Sequence, residues 1–475
     1  MTATGRIIAT RDRLAKASLL VLLGATGCTV GPKYVRPQIQ PPPAFRAVDN
    51  AQTSNDTKDS LGDQQWSDIF REPELQDVIR AALANNFDLR IAAERVLEAR
   101  AQVQITRSQA FPQITVGGTG LGANLGNSLN NIVESPLADG SLSLSTSWTP
   151  DFWGLYRRQT EAAREQMMAQ VWAQRAVRVS LVQQVATTYI QLRALDRQLE
   201  ITRRTVEARR NSADLTRRLE EAGDAPLSDV RQAEQLLYTA TTQIPEIEQQ
   251  IQQNENAMRL LLAQEPGVVL HTAPHALSPP PEKLPTGVPS ELLERRPDIQ
   301  QAEAKLRAAN AQVGVAKAQF FPQVSISASG GVGGDTLSSL FNPSARTIYG
   351  IGSLTQPLFE GGRLRGQLTL SQRQKDEMVA NYLKTIYTAF RDVSNALIAA
   401  RKQRDAREQQ ELLVAAAEDA TRLARARYAS GATSYLEVLT TDSNLFSAQL
   451  NLTTIQQIEA LTLVNLYGAL GGGWR

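Results

Sequence analysis

Few side chains in this 475-residue chain are placed to do chemistry, and the most telling is its single cysteine. Arg6, Arg11, Arg13 and Lys16 precede a short apolar run, Ala17 to Gly24, which leads into Ala25-Thr26-Gly27-Cys28. Small residues and then Cys at the end of an apolar stretch have the pattern of a bacterial lipobox, with Ala25 where Leu is commoner. The run is too short to span a bilayer, so residues 1–27 read as a cleaved lipoprotein signal peptide and Cys28 as the lipidated N-terminus. Two or three acyl chains give a stable anchor, each buried methylene adding roughly 0.8 kcal/mol. Thr29, which is not Asp, favours sorting to the outer membrane. An ordinary signal peptide with an incidental cysteine is the plain alternative.

Other constellations carry less. His271 and His275 are four apart, but in a Pro-containing segment, where a solvated pair is expected before metal ligands. Gly117-Gly118-Thr119-Gly120-Leu121-Gly122 lacks the following helix and the Lys-Ser/Thr ending of a phosphate loop. There is no Gly-x-Ser-x-Gly elbow and no usable triad. One cysteine excludes an internal disulfide, and with two histidines a Cys/His zinc site is not expected. The formal net charge of +2 points to no nucleic-acid surface. The expectation is a chain without cofactor or metal, not an enzyme, and unable to power transport itself.

The elements that position these residues begin with an extended, Pro-rich strap over 28–61, containing Gly31-Pro32-Lys33-Tyr34 and Pro41-Pro42-Pro43. Helical periodicity runs from Glu74 to Gln109, with a break near Asn85-Asn86, and Phe111-Pro112-Gln113 ends it. Over 113–149 the period falls to two. Leu142, Leu144, Thr146 and Trp148 alternate with Ser141, Ser143, Ser145 and Ser147, a strand with one greasy and one serine face. Each run has about the ten residues a tilted strand needs to cross a bilayer; a strand pair of a soluble sandwich alternates in the same way. A long helix over 154–219 contains no proline and only Gly154 as glycine. Its seam of Leu181, Val185, Thr188, Leu192, Leu195, Leu199, Thr202 and Val206 is spaced alternately by three and four, the pattern of a helix packed on a helix. Unbroken, it would be roughly 100 Å long. Gly223 supplies a left-handed stop, Asp224 can cap the next helix, and Pro226 suits its first turn. A returning helix over 227–263 and a nonhelical linker over 264–288 follow.

Then the pattern restarts. Ala101-Gln102-Val103 and Phe111-Pro112-Gln113 are matched by Ala311-Gln312-Val313 and Phe321-Pro322-Gln323, about 210 residues on. A strand hairpin over 323–356, a long helix over 363–428 and a final helix over 434–470 complete the second copy. The second seam is Tyr382, Ile386, Ala389, Val393, Ala396 and Ala400. One unit written twice, 62–263 and 289–475, is therefore expected. Its strands can span a membrane only in a closed barrel, and four cannot close. Three copies of four strands make a 12-stranded barrel whose serine faces line a lumen, continued by a long α-helical barrel. The fold class is mainly α with membrane β.

At this point the sequence resembles the outer-membrane factors of bacterial tripartite efflux, the TolC and OprM type, in the NodT-like lipoprotein branch. The resemblance covers nearly the whole mature chain. It rests on the Cys28 lipobox, Gly31-Pro32-Lys33-Tyr34 with Arg36-Pro37, and Trp66 with Phe70 and Pro73. Further matches are Glu294-Arg295-Arg296-Pro297-Asp298-Ile299, both Phe-Pro-Gln breaks, Leu358-Phe359-Glu360-Gly361-Gly362-Arg363, and the Gly431 tip. It implies a homotrimer in the outer membrane, a passive duct, with a periplasmic adaptor docked on its helical tips and an inner-membrane RND pump supplying energy. A type I protein-secretion duct and a structural coiled-coil lipoprotein of the periplasm are the competing readings.

The resemblance also implies a periplasmic gate near the second tip. Its candidates here are Tyr428, Leu436, Glu437 and Thr440. Thr440 stands where the family commonly has Asp, so Glu437 alone would supply the charge. The plain readings are a helix N-terminal acid for Glu437 and packing for Tyr428. The adaptor-docking candidates are Ala222, Gly223, Leu227, Ser430 and Gly431. Gly154, Gly361 and Gly362 mark the strand-to-helix junctions.

Overall fold

The computed structural model describes residues 29–42, 45, 60–123, 137–269, 279–281, 289–334 and 342–472. Cys28, the signal peptide, His271 and His275 lie outside them. In chain order the helices are α1 (Trp66–Ile69), α2 (Pro73–Asn85) and α3 (Phe87–Ser108), then the strands β1 (Gln113–Ala123) and β2 (Leu137–Trp148). They are followed by α4 (Leu155–Glu221), α5 (Leu227–Leu261), α6 (Leu292–Arg295) and α7 (Pro297–Ala318). The last are β3 (Gln323–Gly334), β4 (Arg346–Thr355), α8 (Arg363–Ala429) and α9 (Tyr435–Ala469).

The internal repeat is metrical. α3 and α7 have 22 residues each, α4 and α8 67 each, and α5 and α9 35 each. α3 begins at Phe87 and α7 at Pro297, an offset of 210; α4 begins at Leu155 and α8 at Arg363, an offset of 208. The two hairpins share one geometry. Asp224 N–H reaches Leu219 C=O at 2.8 Å, and Ala432 N–H reaches Arg427 C=O at 2.9 Å. These bonds close around Gly223 (φ 82°) and Gly431 (φ 74°), whose left-handed backbone only glycine adopts readily. Asp224 thus serves the end of the preceding helix through its backbone. Pro226 stands at the N-cap of α5, and no side chain caps that helix. Pro245 lies inside α5, and the helix stays continuous through it.

The chain forms two compact units. The first takes residues up to 38, 95–171 and 301–382. It holds an antiparallel sheet of order β1-β2-β3-β4, in which β1 and β4 pair on one side only among the described residues. The second takes 39–94, 172–300 and 383–475. Its core joins Phe70, Leu75 and Ile79 to Leu181 and Val185 of the α4 seam, to their neighbours Val182 and Tyr189, and to Val464 and Tyr467 of α9. Phe70 meets Tyr467 edge to face at 5.6 Å. In the α4 seam Thr188 and Leu199 are half-buried and the others buried; Ile386, Ala389, Val393, Ala396 and Ala400 of α8 are buried. A smaller cluster of Ala213, Ala233, Ala424, Tyr435 and Val438 packs the end nearer the two turns. Among the described residues no helix is long and apolar enough to cross a membrane.

Candidate functional site

The sheet has two chemically distinct faces, and the strand register fixes them. Val116, Leu144, Gly330 and Ile348 stand in one row across the four strands, and Trp148, Ile326 and Gly352 in another. Ile114, Leu142 and Leu354 share this apolar, exposed face. The opposite rows are Thr115-Ser145-Ser329-Tyr349 and Gln113-Ser147-Ser327-Ile351. Hydroxyls pair across strands: Thr119 with Ser141 at 2.6 Å, Ser325 with Ser353 at 2.7 Å and Ser145 with Ser329 at 3.3 Å. Strands of 10 to 12 residues reach across a hydrocarbon layer when tilted. One face suits lipid and the other water.

At the base of the sheet Gly154 (φ 82°) and Gly362 (φ 88°) start the long helices at equivalent positions, and Gly361 (φ 56°) precedes the second. Trp148 Nε1 donates to the Ala110 carbonyl at 3.0 Å, and Gln356 Nε2 donates to the Phe320 carbonyl at 2.9 Å. The Trp153 ring stacks on Phe321 at 4.9 Å. Its Nε1 donates to the Pro322 carbonyl at 2.7 Å.

The strap is seated within the first unit. Val30 N–H bonds to the Trp153 carbonyl at 3.1 Å, and Asn310 Nδ2 donates to the Pro32 carbonyl at 3.0 Å. Gly31 (φ 117°) runs so close to Gly314 that a Cβ there would lie 2.5 Å from the Gly314 Cα. Beyond it the buried Glu303 carboxylate meets Arg36 at 3.0 Å and Arg307 at 2.7 Å, and accepts from the Tyr34 hydroxyl at 3.2 Å. Burial and the Glu303 charge push the Tyr34 phenol well above its usual value. Thr29 lies against Gly154, and a Cβ on Gly154 would meet the Thr29 Cα at 3.1 Å. The residue after Cys28 is therefore held at the start of α4.

In the second unit the turns expose Ala222, Gly223, Leu227, Ser430 and Gly431. Leu436 and Thr440 are exposed as well; the Thr440 hydroxyl donates to the Leu436 carbonyl at 2.9 Å. Glu437, half-buried in the first turn of α9, accepts from Arg427 Nη1 at 2.9 Å and from the Thr433 hydroxyl. Its charge is thus neutralised within its own hairpin. Tyr428 meets Tyr435 edge to face at 5.2 Å, and burial raises both phenols. The Tyr435 hydroxyl shares a hydrogen bond of 3.2 Å with Ser212 of α4.

The buried acids were not singled out in the sequence. Asp442 accepts from Arg209 Nε at 2.8 Å and from Arg425 Nη2 at 2.6 Å. Arg295 holds Asp63 at 2.6 Å, and Arg296 Nη1 donates to the Ala469 carbonyl at 2.8 Å, capping α9. Only the last two had a signal, the Glu-Arg-Arg-Pro-Asp motif. Among the described residues no cluster of His, Cys, Asp and Glu could hold a metal ion.

The model of the outer membrane efflux protein family matches this chain twice, over residues 78–264 and 288–472. The toluene efflux pump outer membrane protein TtgC of Pseudomonas putida is 35% identical, covering 98% of this chain and 96% of its own. The cation efflux system protein CusC of Escherichia coli is 32% identical, with 96% and 98% covered. Among solved structures, CusC superposes with a TM-score of 0.82 at 31% identity, over 94% of this chain and 100% of that one. The open state of the Neisseria gonorrhoeae MtrE outer membrane channel does so at 0.82 and 28%, with 94% and 99% covered.

Proposed function

The chain belongs to the outer membrane efflux protein family, and from that premise we propose that three copies close into a single passive export duct. The chain is a channel component of an outer-membrane efflux system and no enzyme. The observation that carries the trimer is the open sheet: among the described residues, four strands, two unpaired edges, one apolar face and one face with hydroxyl rows. An unpaired edge cannot face hydrocarbon, and a closed barrel needs about eight strands or more. Two copies would fill their interior with side chains, whereas three, with twelve strands, leave a lumen for the serine rows. The helices continue the duct into the periplasm, the two glycine turns dock an adaptor, and an inner-membrane RND pump drives the flux.

Lipidation of Cys28 fits the seated strap, whose first described residue, Thr29, is held against Gly154 at the foot of the sheet. Glu437 with Arg427, and Tyr428 beside them, are the proposed closing elements at the tip. The relatives' names divide between toluene and cations at similar identity, so the wall itself carries little substrate code. The detergent-purified protein should have the mass of three chains plus micelle and conduct in a planar bilayer. A monomer without conductance would overturn the reading. Deletion of the gene followed by a panel of antibiotics, metals, solvents and aromatic acids would name the cargo.

A further inference from the structure

In the second unit a cavity of about 490 Å³ opens between α4 of the first hairpin and α8 and α9 of the second. One wall is α4, which presents Arg193, Arg197, Ile201, Arg204 and Ala208. Their spacing by three and four places them on a single helix face. Ile201 and, from α9, Phe446 are buried, and Leu445 and Leu452 are half-buried; they give the cavity its apolar part. The charges are placed unevenly. Asp442 is already held on both oxygens, by Arg209 and Arg425. Arg193 lies 4.0 Å from Glu74 of α2, and Glu418 of α8 accepts from Gln449 Nε2 at 3.2 Å. Arg197 and Arg204 share a single carboxylate, Glu200, which Arg197 meets at 2.7 Å. Two guanidinium groups against one carboxylate leave a positive excess among these three.

The internal repeat shows that the fold does not require this pair. At the offset of 208 that relates α4 to α8, Arg197 corresponds to Asp405 and Arg204 to Leu412. Both helices nonetheless reach 67 residues. The two arginines are written once, where the rest of the architecture is written twice. We infer that the cavity binds an amphipathic organic anion, its carboxylate at Arg197 and Arg204 and its apolar body against Ile201, Phe446 and Leu452. The planar guanidinium fork matches a carboxylate in geometry. The volume lies in the range of small-molecule sites, which combine apolar walls with a few placed polar groups. Such a ligand touches α4 of one hairpin and α9 of the other, so it favours the arrangement in which the two are joined as here. The site lies within one chain and does not depend on how many copies assemble.

The test is calorimetric titration of the detergent-purified full chain with naphthoate, set against naphthalenemethanol, which has the same rings and no charge. Naphthoate should bind saturably and raise the thermal unfolding midpoint. The alcohol should bind about tenfold more weakly or worse, because it forgoes the charged hydrogen bonds to arginine. Arg197→Gln combined with Arg204→Gln should weaken naphthoate by about tenfold or more for the same reason. Ala208→Trp fills the cavity without changing its charge and should abolish binding too. The alcohol comparison uses the unaltered chain, so it stands even where a variant fails to fold. Equal binding of acid and alcohol, or wild-type affinity in either folded variant, would overturn the inference. So would a wild type that ignores naphthoate but retains a periplasmic protein that the arginine variant loses; the cavity would then be a seat for a protein segment.

Discussion

Arg209 Nε lies 2.8 Å from Asp442 Oδ2, and the two side chains, 4% and 8% exposed, tie α4 of the first hairpin to α9 of the second. Arg425 of the second hairpin holds the other oxygen at 2.6 Å. The equivalent acid in the first hairpin, Glu234, meets the equivalent arginine, Arg217, at 2.9 Å. The position equivalent to Arg209 is Ala417, and among the described residues Glu234 meets Arg217 and Arg231 of its own hairpin, both largely exposed. One acid is paired within its own hairpin; the other fastens two hairpins.

Removing one member of a buried pair strands the other charge. Asp442→Ala or Arg209→Ala should each cost about 3–5 kcal/mol, read as a lower thermal unfolding midpoint in detergent. Glu234→Ala should lower that midpoint less, because its partners Arg217 and Arg231 are largely exposed and water screens the charge left behind. Equal effects at Asp442 and Glu234 would contradict the fastening role.

At the tip the two members of one ion pair should act in opposite directions. Arg427→Ala frees the Glu437 charge and should raise cation selectivity in single-channel recordings. Glu437→Ala should lower that selectivity and make the closed tip leakier. If neither variant changes the recordings, Glu437 is a helix-end acid and no more.

Much of the architecture could be read because the sequence states it twice. The Phe-Pro-Gln breaks end where β1 and β3 begin, at Gln113 and Gln323, and the break near Asn85-Asn86 is a true helix boundary, Asn86 Oδ1 accepting from Leu89 N–H at 3.1 Å. The seams work because spacing by three and four is a property of the helix itself. Glu303 and Asp442 were invisible for the opposite reason. Each sits in an ordinary helical pattern, and the partner that marks it as buried comes from a distant segment, Arg36 for Glu303 and Arg209 for Asp442. Nothing local distinguishes a buried acid from a solvated one. The prolines suggest an extended strap, and its seating is not legible in composition, because Gly31, Asn310 and Glu303, which hold it, come from separate stretches of the chain.

The strap and the lipid should be separable. Cys28→Ser should abolish acyl labelling; labelling that persists would remove the lipoprotein proposal. Gly31→Val should leave labelling intact yet loosen the strap, because its Cβ would strike the Gly314 backbone and its φ of 117° suits glycine alone. Protease sensitivity between Thr29 and Tyr34 should rise in Gly31→Val but not in Cys28→Ser.

Glu165 of α4 offers a pH test in the first unit. Burial raises its carboxyl above the ordinary value; Arg307 opposes this, and Glu161 and Glu303 reinforce it. The facing groups thus come from α4 itself and from α7. A carboxyl raised in the folded state adds stability below its unfolded value, about 4.3, and loses that contribution as pH climbs through the folded value. Glu165→Gln carries no charge to desolvate. It should therefore match the wild type at pH 4 and exceed it in thermal midpoint at pH 8, flattening the profile between them. Parallel profiles for the two proteins would mean that Arg307 compensates the buried charge fully, and the burial argument at this position would fail.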